Sequence, residues 1–219
     1  MPAQPLSETW RQRFAECDKH DTCDGQTLRR GCSHDQNRNS VLLKLADGTV
    51  FFNAKMGLDM DGSRFATASP GQTDQAETTL RYPIPGSPSI DSDRVPYVVI
   101  PSAGFDHDLQ VEVGDVAAVL YRGKRVYAVV GDTGPKCKIG EGSMRLHEML
   151  GHIVCKRRSP SGDCQEVRDA SVEQDVLYFI FPHTRAKLWT GLRPENMNQR
   201  LQEYGRESWD SLLSAGKGH

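Results

Sequence analysis

Long apolar runs are missing from this chain of 219 residues: the longest, such as VPYVVIP at 95–101 and VLYFIF at 176–181, are strand-length. A membrane helix needs about 20 apolar residues, so no membrane insertion is expected. A surplus of either charge is also missing, with 27 Lys and Arg against 29 Asp and Glu. Nucleic acid is therefore not an expected partner, and no block of like charge suggests an interaction tail. The opening MPAQPLSETWRQRFAEC lacks an apolar core, so no conventional secretory signal is expected. Internal repeats and low-complexity segments are absent as well. The six cysteines show no CxxC spacing, which excludes the common structural zinc patterns.

The cysteines still need an account. Cys155 and Cys164, across the turn-rich KRRSPSGD, are the best candidates for a local disulfide, and scattered reduced thiols are the alternative. Bridges would imply an oxidising compartment. With no signal visible, the expected route is non-classical secretion, possible into the periplasm of a target cell, as contact-dependent toxins and injected effectors travel.

What is present reads mainly as strands. VLLKL, the turn ADG and TVFFNAKM form a hairpin signature with Asp47-Gly48 at its tip. VPYVVIP reads as a buried strand ending at prolines. GDVAAVLYRGKRVYAVVGD reads as a second hairpin around Arg122-Gly123-Lys124, and DVLYFIFP as a further strand. Helices are few. SETWRQRFAE places Trp10 and Phe14 on one face, SMRLHEMLGH is capped by Ser143 and stopped by Gly151, and the closing segment from Arg193 is a helix or helix pair interrupted near Gly205. The stretch 17–40 reads as irregular. The chain is expected to hold an N-terminal Cys-rich extension (1–40), a β-barrel domain (41–190) and a C-terminal helical segment (191–219).

Three motifs bear on chemistry. HEMLGH imitates the zincin HExxH, but His147 and His152 are five apart with Gly151 between them, so they cannot share a helical face; no metal is expected. GLDMDGS resembles the start of an EF-hand loop, but Gly57 stands at its first ligand position and Ala68 where the bidentate Glu belongs. Asp59 and Asp61 there either line a cleft or form a solvated turn. VVGDTGPKCKIGEGS sets Asp132 and Glu141 nine residues apart among glycines. Two such carboxylates are the minimum equipment for glycoside hydrolysis, and the glycines are expected to let a sugar ring approach the backbone.

Taken together, FFNAKMGLDMDG, VPYVVIP, GDVAAVLYRGKRVYAVVGDTGP and KIGEGSMRLHEMLG resemble the glycoside hydrolase family 75 chitosanases and their bacterial relatives over roughly residues 41–182. The resemblance implies that Asp132 and Glu141 are the essential carboxylates of an inverting enzyme cutting β-1,4-linked amino-sugar polymers, without cofactor. The family's acidic stretch maps onto Met56–Gly62, with Gly57 where its first acid stands. VVGDTGPKCKIGEGSMRL is similar in rhythm to segments of rare-lipoprotein-A-type lytic transglycosylases, which implies a six-stranded double-psi-like β-barrel with peripheral helices, mainly β, and Asp132 as general acid. Asp59, Asp61, Lys55, Thr133 and Tyr82 are expected to bind substrate. The substrate is a polysaccharide, either chitosan or the glycan of peptidoglycan. In the second case the protein is a muramidase or lytic transglycosylase acting as an antibacterial effector, with an immunity protein as partner. The contrasting class is a barrel that binds carbohydrate without cleaving it.

Overall fold

The structure is a computed structural model and describes residues 3–5, 8–28, 32, 41–68, 74–168 and 171–217. In chain order the elements begin with β1 (Ala3–Pro5), α1 (Glu8–His20), β2 (Thr22–Cys23), β3 (Gln26–Thr27), β4 (Leu42–Leu45), β5 (Val50–Asp59) and α2 (Arg64–Ala68). There follow β6 (Tyr97–Pro101), α3 (Phe105–Leu109), β7 (Val116–Tyr121), β8 (Lys124–Gly134), β9 (Glu141–Ser143) and α4 (Met144–Met149). The chain ends with β10 (Cys155–Arg158), β11 (Cys164–Val167), β12 (Val172–Phe181), α5 (Arg185–Trp189) and α6 (Met197–Lys217).

Strands β5, β12, β7, β8, β6 and β9 are hydrogen-bonded in that order, and β9 returns to β5, so six strands close into a barrel. The barrel is mixed, with β5–β9 and β6–β8 parallel and the other pairings antiparallel. A mainly β protein built on a six-stranded barrel with peripheral helices is what the sequence leads one to expect. Closure leaves these six strands without a free edge, and β4 with β1 extends the sheet beyond β5.

Both expected hairpins form, β4–β5 around Gly48 and β7–β8 around Arg122-Gly123, where the backbone takes positive φ. Ser143 caps α4 by accepting the Leu146 N–H. The barrel interior is filled by Phe52, Ala54 and Met56 of β5, Val98 and Ile100 of β6, Val126, Ala128 and Val130 of β8, and Tyr178 of β12. Phe52 stacks on Tyr178 with ring centroids 4.4 Å apart. Trp10 and Phe14, one helical turn apart on α1, join Phe105 in the same core.

Three disulfides link Cys17 to Cys32, Cys23 to Cys137 and Cys155 to Cys164. The third spans the β10–β11 hairpin. The second ties the N-terminal extension to the connector between β8 and β9. Much of the 17–40 stretch, residues 29–31 and 33–40, lies outside the described residues. Within the rest, α1 runs on to His20 and a small β2–β3 hairpin follows.

One expectation fails. Helix α6 runs without a break through Gly205. The glycine serves packing instead: a Cβ there would lie 2.4 Å from Cγ of Tyr127 on β8, so the helix approaches the outer barrel wall closely. Gly205→Val is expected to destabilise the fold by about 1–3 kcal/mol through overpacking, read as a lower midpoint of urea unfolding with an unchanged slope. An unchanged midpoint would mean that α6 does not seat on β8 as described.

Candidate active site

A single bulge decides where the acids meet. Val98 and Ile100 of β6 face the barrel core, whereas Tyr97 and Val99 belong to the outer apolar cluster. On β8, Val126, Ala128 and Val130 also face inward, so strict alternation would send Asp132 into the interior. The β6–β8 register shifts instead, from Val98 opposite Val130 to Val99 opposite Asp132. Gly131 is the extra residue, and the bulge turns Asp132 to the outer face. A Cβ on Gly131 would lie 2.6 Å from Cβ of Tyr97, so no larger residue fits. On the other side of β6, Val99 pairs with Glu141 of β9, and Glu141 with Gly57 of β5. Asp132, Val99 and Glu141 thus form one row, with the two acids' backbones two strand spacings apart, about 10 Å.

Each acid has a different setting. Asp132 is 4% exposed. Its Oδ1 accepts the Thr79 N–H at 3.1 Å, the Thr133 N–H at 2.7 Å and the Thr79 hydroxyl. Its Oδ2 is buried and receives no N–H or O–H from the described residues. Glu141 is flanked by a cation, since Lys138 Nζ donates to Oε1 at 2.5 Å. Two glycines make room for it: a Cβ on Gly57 would lie 3.4 Å from Glu141 Cγ, and one on Gly134 3.0 Å from Oε2. An acid at position 57 would set a second negative charge beside Glu141. The Gly57 carbonyl is itself held by Nε2 of His147 at 3.2 Å. Burial pushes His147 down to about 3, so its ring is neutral and Nε2–H is the donor.

A second group of acids borders the row. Asp59, at the end of β5, accepts the Asp61 N–H and the Tyr97 hydroxyl on Oδ1, both at 2.8 Å. Burial, then the neighbouring Asp61 and Glu141, push the Asp59 carboxyl well above the usual carboxylate range. Asp61 accepts the Gln75 N–H and has Asp132 as a charged neighbour. Its own carboxyl is pushed up to about 7, by burial first and then by Asp132 and Asp74. Asp74 accepts the Met60 N–H at 3.1 Å. No lysine or arginine pairs with Asp59, Asp61, Asp74 or Asp132 among the described residues. Asp59, Asp61 and Asp74 each bring an oxygen within 4.8 Å of the others, but each also has an oxygen committed to a backbone N–H, and no metal is assigned to them. Cys23 and Cys137, near Asp24, are joined in a disulfide and offer no thiolate.

The structure therefore brings Asp132, Glu141, Asp59 and Asp61 together, and leaves Thr133 at the margin, exposed, with its hydroxyl 3.1 Å from that of Thr79. Two other residues expected at the site lie elsewhere. Lys55 is buried and paired with Asp18 at 2.8 Å, and Tyr82 packs with Leu80 and Ile90 in the outer apolar cluster. Nor do the glycines chiefly admit sugar. Gly131, Gly140 and Gly142 back onto Tyr97, the Lys55 carbonyl and Leu146 respectively. Thr79, Asp74, Tyr97 and Lys138 are the site residues that sequence reasoning missed. Only Lys138, three residues before Glu141 on the same connector, left a readable signal.

That connector is fastened at several points. Cys137 is bonded to Cys23, Lys136 pairs with Asp24, and Ile139 enters the barrel core. Glu141 thus sits at the end of a strap anchored to the N-terminal extension, and Asp132 at its start.

The comparisons with known proteins fit this geometry. No curated protein matches the chain. A solved structure that does match is the Streptomyces papain inhibitor (SPI), at 16% identity and TM-score 0.35, covering 60% of this chain and 94% of that one; a likeness so distant carries no functional weight. The family of fungal chitosanases of glycosyl hydrolase group 75 matches residues 56–210, well over half of the chain, and the match includes both acids of the row. The chain belongs to this family, and is a chitosanase-like glycoside hydrolase with a polysaccharide as its substrate.

Proposed function

We propose that this protein hydrolyses chitosan with inversion, Asp132 acting as general acid and Glu141 as general base. The observation that carries the reading is the row Asp132–Val99–Glu141. Two strand spacings between the acids suit the roughly 6.5–9.5 Å carboxyl separation that leaves room for a water in inverting glycosidases. Their surroundings divide the roles. Asp132 has Asp61 as a charged neighbour and a buried Oδ2 that no N–H or O–H of the described residues reaches, which suits the proton-donating role. Glu141 has the Lys138 ammonium on Oε1, which suits the role of base and leaves Oε2 to hold the water. In the reaction Asp132 gives its proton to the glycosidic oxygen as the C1–O bond breaks. The water attacks C1 from the opposite face and passes its proton to Glu141.

The neighbouring acids favour the substrate. A surface with Asp59, Asp61, Asp74 and Asp132 and no pairing lysine or arginine suits the ammonium groups of a deacetylated amino sugar. Peptidoglycan, with acetamido sugars and peptide carboxylates, gains nothing from such a patch. Three disulfides support work in an oxidising compartment outside the cytoplasm.

Asp132→Asn and Glu141→Gln are each expected to lower turnover of chitosan by about 10²–10⁴-fold while keeping the wild-type circular dichroism spectrum. Undiminished cleavage by either folded variant refutes the assignment. Turnover of peptidoglycan sacculi but not of chitosan would favour the antibacterial-effector reading with its immunity partner, and binding without any product would favour a non-catalytic barrel. For the strap, Cys137→Ser is expected to reduce activity at least tenfold, whereas Cys155→Ser, whose disulfide packs beside Met60 and does not touch the connector, costs less activity. Equal effects of the two changes would show that the strap does not position Glu141.

A further inference from the structure

Asp61 is a residue for which the two-carboxylate scheme has no use, yet it lies against the acid of that scheme. Both carboxyl groups are buried, Asp132 at 4% and Asp61 at 9% exposure. Each has one oxygen fully engaged. Asp132 Oδ1 takes two N–H groups and a hydroxyl, and Asp61 Oδ1 takes the Gln75 N–H. Asp132 is a charged neighbour of Asp61, and Asp132 Oδ2, buried, has no donor from any N–H or O–H of the described residues. Two carboxylates in that position repel, and one proton between them removes the repulsion and supplies the missing donor.

We propose that Asp61 is a positioning and proton-holding residue, which shares one proton with Asp132 and so keeps the general acid protonated for catalysis. The inference rests on the reading of Asp132 as the acid. When Asp132 delivers its proton to the leaving oxygen, the pair is left with two negative charges. It recovers its single proton from solvent, through Asp61, while the proton taken by Glu141 returns to water. Protons balance over each turnover, with one water consumed and no other reactant.

Burial and the neighbouring acids act in one direction on Asp61, and the Gln75 N–H opposes them. The groups facing Asp61 are Asp59 from the end of β5, Asp74 from the following loop and Asp132 from β8, with the Tyr97 hydroxyl of β6 donating 3.1 Å away to the Asp61 carbonyl. Glu141 faces Asp59, and the cation Lys138 is spent on Glu141. Burial and these neighbours raise Asp61 to about 7. The form that carries the shared proton is the active one, so activity falls as pH rises through the upper titration. Removing the Asp61 charge lowers that titration and moves the fall to lower pH.

The test is the pH dependence of kcat/KM on chitosan for wild type, Asp61→Asn and Asp132→Asn. Asp61→Asn is expected to move the alkaline limb of the profile down by about one pH unit or more. A uniform loss with the limb in place would mean that Asp61 only supports the loop, and would overturn the proposal. An active Asp132→Asn enzyme would instead overturn the reading of the acid itself. If Asp61→Asn does not fold, the infrared band of protonated carboxyl is compared between wild type and Asp132→Asn at pH 6. A changed band supports the shared proton, and an unchanged band refutes it.

Discussion

The extra residue at Gly131 turns the side chain of Asp132 from the barrel interior to its outer face, and the rest of the site is built around that turn. In the interior, among Val126, Ala128 and Val130, a carboxyl would be an uncompensated polar group in an apolar core. Outside, it joins Val99 and Glu141 in a row whose spacing is set by strand geometry. The bulge requires that nothing larger than hydrogen stand at position 131, because Tyr97 and Ile90 occupy the space. Tyr97 then reaches past the row to donate to Asp59. The same aromatic side chain limits the bulge and holds the acid loop.

Charge is distributed unevenly across this row, and that asymmetry is what allows two chemically similar side chains to do different work. Lys138 reaches Glu141. On the Asp132 side stand Asp61 and, beyond it, Asp59 and Asp74, several of them buried and unpaired by any cation among the described residues. Such crowding favours retention of protons and attraction of cationic ligands. It is a costly arrangement for a fold, and the three disulfides, the filled barrel core and the buried Lys55–Asp18 pair are consistent with a scaffold that holds the acids close against their repulsion. Both ends of the row also depend on the connector 135–140, which is tied through Cys23–Cys137 to a segment more than a hundred residues earlier in the chain.

Much of the barrel was legible in the sequence because its signals are local. Short apolar runs such as VPYVVIP and VLYFIF, Gly48 and Gly123 at hairpin tips, and Ser143 before a helix each report on a few neighbouring residues. The pair Asp132 and Glu141 stood out because both lie on one short connector. What was not legible depends on contacts distant in sequence. Thr79 reaches Asp132 from 53 residues away, and Gly205 looked like a helix break because nothing nearby shows that Tyr127 presses on it. Lys55 and Tyr82 resembled ligand-binding residues by type and proximity to the motif, but the face of β5 opposite the barrel core takes the first to Asp18, and an apolar cluster takes the second. Gly57 looked like a lost ligand, and reads in the structure as room for Glu141.

The central claim is that Asp132 and Glu141 act from opposite sides of a glycosidic bond, with a water between Glu141 and the sugar. It is tested most directly by proton NMR of the chitosan products in the first minutes of reaction, before mutarotation. The account predicts that the newly formed reducing ends appear as the α-anomer from a β-linked chain. Initial release of the β-anomer, or of a 1,6-anhydro sugar, would contradict it.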